Sequence, residues 1–287
     1  MKVQMLMAKR NSIVYLMGGL GNQIFQLSFA NKLRNEGHNI KIDISNYSYP
    51  SDDVIQKREL VFPLNYFGFE PTKNEMFKYK IFLKIKKNSF RNYKFFPFKK
   101  FNDRNFQNDL IGKHNLFVGY WQNVDLIKEN ISFLIQSLSN EKLIFDALRK
   151  QKSENKVMVH VRRKDYLEMK EELSIDYYKN AINIANKRIM NFQFDVFTDD
   201  VEWVKKQKLF KNARDIIFSD NSVESTIKDF SKMLSYKHFI ISNSTYSLIP
   251  AIINEESDSM IIIPEPWFKN ENKNINPHKT WIKLNNE

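Results

Sequence analysis

"VMVHVRRKDY", residues 157–166, begins as a strand and ends in charge. Val157, Met158, Val159 and Val161 form a nearly unbroken apolar run, the pattern of a strand buried on both faces of a parallel sheet. His160, Arg162, Arg163, Lys164 and Asp165 crowd at its exit. Downstream the rhythm repeats: strand-like runs at 192–197, 215–218, 238–242 and 259–263 alternate with helix-like stretches at 174–190, 201–210, 223–237 and 246–254. Such alternation specifies a parallel sheet with helices on its faces.

Working back toward the N-terminus, 12–45 reads as a βαβ unit. Ile13 to Met17 is a short apolar strand, "GGLGNQ" makes a tight turn through Gly18, Gly19 and Gly21, and Asn22 is placed to cap the following helix. Gly37 stands where a helix C′ residue belongs, before the alternating strand "IKIDI". The region from about 46 to 150 is broken by Pro50, Pro63, Pro71 and Pro97, and Trp121 and Gln122 in "LFVGYWQNVD" (116–125) offer either a sugar platform or a core tryptophan. The polar run "QKSENK" (151–156) marks a junction, so the expected domains are 1–150 and 151–287, each Rossmann-like. The architecture expected is α/β and GT-B-like, with two such domains facing across a cleft.

Composition narrows the classes. The chain has 287 residues, a formal net charge of +12 and no cysteine, which excludes disulfides and thiolate metal sites. No apolar run approaches the roughly 20 residues that span a bilayer, and a cytoplasmic protein is expected. Between Lys78 and Lys100 there are nine Lys or Arg, no Asp or Glu, and seven aromatic residues. A solvated helix with its aromatic face packed on the domain ranks first there, peripheral contact with an anionic membrane second and nucleic acid third; no nucleic-acid partner is expected.

Ligands of open parallel sheets bind outside the carboxyl ends of the strands. Those ends read "HVRRKD", "FTDD", "FSDN" and "SNSTYS". A nucleoside diphosphate sugar would use all of them. Arg162 or Arg163 can fork onto the diphosphate and stabilise the leaving group. Asn243, Ser244 and Thr245 stand at a helix N-terminus suited to phosphates. Asp199 or Asp200 can accept from ribose or from the N–H pair of a guanine, and His160 can recognise base or sugar. Each residue also has a bland alternative: a core histidine, a helix-capping "DD", an arginine bridged to Asp165. Jointly, at one sheet edge, they point to a site.

The competing use of "GGLGNQ" is a dinucleotide turn, with Asp43 as the ribose acid of an NAD-dependent oxidoreductase. Counted from Gly19, the third small residue of that fingerprint is replaced by Ile24. Two readings of the turn stand equal: backbone N–H groups at Gly19 and Gly21, with the Asn22 amide, facing an anion or sugar, or a glycine turn needed only for tight packing.

"GGLGNQIFQ", "GYWQN", "HVRRKDY", "FTDD", "KHFIISNSTYS" and "IIIPEPWF" occur in the order seen in bacterial alpha-1,2-fucosyltransferases (glycosyltransferase family 11), which the chain resembles from about residue 13 to 268. The resemblance implies a GT-B-like fold, GDP-beta-L-fucose as donor substrate, inversion at the anomeric carbon, and neither metal nor cofactor. It implies Arg162 as the β-phosphate contact, His160 and an Asp of "TDD" at the base, Ser244 and Thr245 at the phosphates, and Asn22 near the reacting centre. After "SNSTYS" the chain has Leu248, Ile249, Pro250 and Ala251 where many relatives have two tryptophans and alanines. Asp165 is the expected candidate for general base, though a bridge to either arginine would occupy it. The acceptor expected is a glycan ending in galactose or N-acetylgalactosamine, on a lipid-linked oligosaccharide at the inner face of the membrane, with 78–100 as the peripheral membrane contact.

Overall fold

The computed structural model describes residues 10–48, 58–72, 78, 99–103, 106–107, 111–220, 222–269 and 275–286. The basic aromatic segment 78–100, apart from Lys78, Lys99 and Lys100, lies outside the described residues. The chain forms two compact units, 1–121 and 122–287.

In the first unit, the strands β1 (Arg10–Tyr15), β2 (His38–Asp43), β3 (Pro71–Thr72), β4 (Lys99–Phe101) and β5 (His114–Val118) form a sheet in the order β3-β2-β1-β5-β4, and every pairing is parallel. The expected βαβ start is present, with helix Leu20–Asn35 between β1 and β2. Its N-cap is Gly19 and no side chain caps it, so Asn22 sits inside the first turn and is not the cap. Gly37 has φ +88°, the left-handed conformation that ends a helix cheaply only at glycine. Trp121 is a core residue: its ring stacks on Phe29 at 3.9 Å between centroids.

The second unit carries β6 (Ser153–Val161), β7 (Gln193–Thr198), β8 (Asp215–Phe218), β9 (Tyr236–Ile240), β10 (Ile261–Glu265) and β11 (Ile282–Asn285) in the order β11-β10-β9-β6-β7-β8. All pairings are parallel. Three strands, β9, β10 and β11, step outward on one side of β6 and two, β7 and β8, on the other, the doubly wound order whose switch point lies between β6 and β9. Helix Ile175–Arg188 buries Tyr177, Tyr178, Ala181 and Ala185 against Val157, Val159 and Val161. Helices Val223–Met233 and Thr245–Ile253 pack on each other, and on the helices Lys142–Leu148 and Val124–Glu129 respectively.

Those last contacts explain where the chain divides. The helices between 124 and 148 are amphipathic and find their partners about a hundred residues later, so they go with the second unit. Consequently "QKSENK" is no linker: Ser153 to Lys156 already belong to β6. The charged helix Lys164–Met169 and the terminal strand β11 were among the elements not foreseen. The expected helix 201–210 breaks into Val201–Lys206 and a 3₁₀ turn, Lys208–Phe210.

A buried carboxylate ties β7 to the start of β9 and to the residue before β8. Asp195 accepts from Arg214 Nε at 3.0 Å and from its terminal nitrogen at 2.5 Å, and from the Tyr236 hydroxyl at 2.5 Å. Burial pushes its carboxyl up, but the bonds from Arg214 and Tyr236 outweigh this and hold it below the usual carboxylate range. A depressed native value stabilises the fold above the ordinary carboxylate pKa and loses that stability as pH falls through the native value. Arg214→Ala is expected to cost about 1–3 kcal/mol at neutral pH, at the low end because Arg214 is nearly half exposed. It should also move acid unfolding to higher pH. Urea melts at neutral and mildly acidic pH read both effects.

Candidate active site

At the carboxyl edge of the second sheet the registers align the strand exits. Val161 pairs with Thr198, Thr198 with Phe218, and Val159 with Ile240. One residue beyond that row stand Arg162, Asp199 and Ser219, with Asn243 across the switch point.

The burst of cations is balanced within the chain. The Arg162 guanidinium lies 2.7 Å from Asp165 Oδ2 and 3.0 Å from Asp199 Oδ2. Burial works against its charge, but Asp199 and Asp165 prevail and raise its pKa. Arg163 turns away: its Nε lies 3.3 Å from Asp200 Oδ2 and its guanidinium stacks on Trp203 at 4.0 Å. Of the two arginines, Arg162 is the one at the switch point.

The "DD" pair is spent on architecture. Asp199 accepts the Arg163 backbone N–H at 2.9 Å and is 2% exposed. Asp200 caps helix Val201–Lys206 by accepting the Trp203 N–H at 3.1 Å. The expectation that one of them meets ribose or guanine is therefore met by carboxylates already engaged inside the chain. Asp165 is likewise engaged: its Oδ2 accepts from the Arg162 guanidinium at 2.7 Å. His160 is buried and bonded through Nδ1 to Ser242 and Ser247, the arrangement of a satisfied core histidine. Burial, and then Arg162, push its pKa down to about 3, so the ring is neutral.

Across the switch point, helix Thr245–Ile253 begins at Ser244, whose side chain makes no capping bond. The first intrahelical bond runs from the Leu248 N–H to the Ser244 carbonyl. The N–H groups of Thr245, Tyr246 and Ser247 precede it, at the positive end of the helix. Asn243 donates to the Glu171 carbonyl at 2.8 Å, and its own carbonyl accepts from the Tyr166 hydroxyl at 2.9 Å. Asn243 Oδ1 is buried without a partner.

A residue that sequence reasoning missed lies nearby. Asp229, on helix Val223–Met233, is buried, and its Oδ2 has no hydrogen-bond partner. Burial raises its pKa, against the lowering effect of a bond from Ser219 at the exit of β8. The signal was available: with Thr226, Phe230 and Met233, Asp229 falls on the i, i+3, i+4, i+7 stripe that should be apolar.

Gly19, Gly21 and Asn22 belong to the other unit. There Gly18 has φ +81°, and a Cβ on it would lie 2.6 Å from Asn22 Nδ2. The Gly18 carbonyl accepts from Gln23 Nε2 and from the Tyr47 hydroxyl, both at 3.1 Å. Gln26 donates to the Gly119 carbonyl at 3.0 Å. The glutamines of "GGLGNQIFQ" thus brace the loop. Asp43 is fully buried and accepts the Ser45 N–H at 2.8 Å, and Ile24 fills the core where a dinucleotide turn needs a small residue. Nothing here supports the oxidoreductase reading.

A doubly wound parallel sheet with an arginine and a helix N-terminus at its switch point defines an α/β protein with a ligand edge of the kind open parallel sheets use. The chain belongs to glycosyl transferase family 11, whose family model matches residues 8–285. It is 29% identical over 293 residues to an alpha-1,2-colitosyltransferase of Escherichia coli, covering 95% of this chain and 98% of the relative. It is also 32% identical over 137 residues to the O-antigen biosynthesis glycosyltransferase WbnK of Escherichia coli, 45% of each chain. Among solved structures, the fucosyltransferase NodZ from Bradyrhizobium is similar with a TM-score of 0.42 and 15% identity, covering 84% of this chain and 92% of that one. A glycosyl transferase family 9 protein from Veillonella parvula has a TM-score of 0.43 and 10% identity, covering 96% and 86%. The described residues contain no helix long and apolar enough to cross a membrane.

Proposed function

We propose that the protein transfers a deoxyhexose, L-fucose in the first instance, from a GDP-linked donor to the 2-hydroxyl of a galactose or N-acetylgalactosamine-type residue. The transfer inverts the anomeric carbon, uses no metal, and serves O-antigen-type surface polysaccharide synthesis. The observation that carries this reading is the convergence of Arg162 and the uncapped first turn of helix Thr245–Ile253 on one switch point. Family membership and the names of the Escherichia coli relatives support the reaction class.

In this reading the N–H groups of Thr245, Tyr246 and Ser247, with the Ser244 and Thr245 hydroxyls, hold the diphosphate on one side. Arg162 holds it on the other, with its guanidinium set by Asp165 and Asp199. As the glycosidic bond to phosphate breaks, these donors stabilise the negative charge that a metal ion neutralises elsewhere. Because three aspartates balance the two arginines, affinity comes from directed N–H groups and not from net charge. Base recognition passes from Asp199 and Asp200 to Asp229, whose carboxylate matches the paired N–H donors of guanine. Asn22 keeps, on resemblance alone, a role at the reacting centre. A lipid-linked acceptor and a peripheral membrane contact through 78–100 complete the proposal.

Purified protein given GDP-fucose or GDP-colitose and a panel of galactosides is expected to transfer one of the two sugars, with or without chelator. Absence of transfer from both donors contradicts the reading; activity lost to chelator contradicts its metal-free part.

A further inference from the structure

His160 holds a position that no direct contact with a ligand requires. Its Nδ1 lies 2.8 Å from Ser247 Oγ and 2.9 Å from Ser242 Oγ. The Ser247 hydroxyl also reaches the Ser244 carbonyl at 3.2 Å. These residues sit on three elements: His160 near the end of β6, Ser242 just beyond β9, and Ser247 in the first turn of helix Thr245–Ile253. All three are buried. One nitrogen therefore fastens the strand that carries Arg162 to the turn that offers its N–H groups.

We propose that His160 is a positioning residue, acting through Ser247 and Ser242 to fix the first turn of helix Thr245–Ile253 relative to Arg162. This rests on the reading that the diphosphate binds between them. It differs from the expectation that His160 itself meets base or sugar, and the two differ in which ring nitrogen matters. Positioning uses Nδ1, whereas a ligand contact would use Nε2, because Nδ1 is already shared by two hydroxyls.

Side-chain amides separate the cases: the amide of Asn reaches the place of Nδ1, and that of Gln reaches the place of Nε2. His160→Gln is expected to weaken GDP binding about 10–100-fold, the scale of a buried hydrogen bond left unmade. The donor KM should rise in step while kcat changes less, since a displaced first turn weakens the hold on ground state and transition state alike. His160→Asn should restore GDP affinity to within about 3-fold of the starting protein, since it re-forms the bond. Ser247→Ala should lose affinity as His160→Gln does, and the two together should lose no more than either alone.

Calorimetry with GDP and initial rates with GDP-fucose read these outcomes. Rescue by Gln instead of Asn, equal loss in both, or no loss in either overturns the proposal. Should the His160 variants fail to fold, an unchanged GDP affinity in Ser247→Ala overturns it as well. A protein that binds GDP but transfers no sugar defeats the transfer reading and leaves this test in force. One that binds no GDP defeats both.

Discussion

Arg162→Lys is expected to lower kcat/KM for sugar transfer about 100-fold or more while the protein stays folded. Lysine keeps a positive charge beside Asp165 and Asp199 but cannot present a planar fork to a diphosphate. Removing one well-aimed donor from a developing charge costs about 10²–10³ in rate, and the fork supplies more than one. Arg162→Ala should go further, to about 10³-fold or beyond, but it is the less clean variant. Sequence alone suggests an arginine whose truncation nearly eliminates transfer and leaves the fold intact. The structure shows Asp165 and Asp199 both leaning on it, at 16% and 2% side-chain exposure. Truncation takes this cation from the buried Asp199 and the half-buried Asp165, at a cost of roughly 3–5 kcal/mol in stability. A melting curve run beside each assay separates lost folding from lost chemistry. An Arg162→Lys enzyme with most of its activity would remove Arg162 from the phosphate site.

Asp229→Asn is expected to weaken GDP binding about 100-fold or more. The amide retains one acceptor but turns a donor toward the guanine N–H pair. The same change should raise affinity for the xanthine diphosphate relative to GDP, because xanthine presents one donor and one acceptor at that edge. Stability should move the other way. Burial raises the native pKa of Asp229, so the native state binds its proton more tightly than the unfolded chain does. A raised carboxylate makes stability fall as pH climbs from the ordinary carboxylate value through the native one, and above that value the cost is fully present. Removing the charge should therefore leave the ligand-free melting point at neutral pH unchanged or higher. A ligand-free variant that melts several degrees lower, with GDP affinity intact, would make Asp229 a structural carboxylate.

These two residues also show what sequence can and cannot carry. Arg162 was legible because its setting is periodic: apolar runs alternate with amphipathic stretches from 157 onward, and that pattern alone implies parallel strands with a working carboxyl edge. The order of those strands then places β6 beside β9, so "HVRR" and "SNSTYS" meet as expected. Asp199 and Asp200 were ambiguous because a carboxylate pair before "VEWVKK" suits a cap and a ligand equally, and only the Trp203 N–H decides for the cap. Asp229 sits inside a helix where polar residues are ordinary, and the groups it interacts with, Tyr246 and Ser219, come from other parts of the chain. The chain divides at 121 and not at 150 for a similar reason. Helix Lys142–Leu148 is a local feature, but its partner Val223–Met233 is not.

The account depends on where the diphosphate lies in the second unit. A crystal of the protein grown with GDP decides it most directly. The expected result is a β-phosphate within hydrogen-bond distance of the Arg162 guanidinium and of N–H groups from Thr245 to Ser247, with the base beside Asp229. A diphosphate with no contact to Arg162 or to the N–H groups from Thr245 to Ser247 would contradict it.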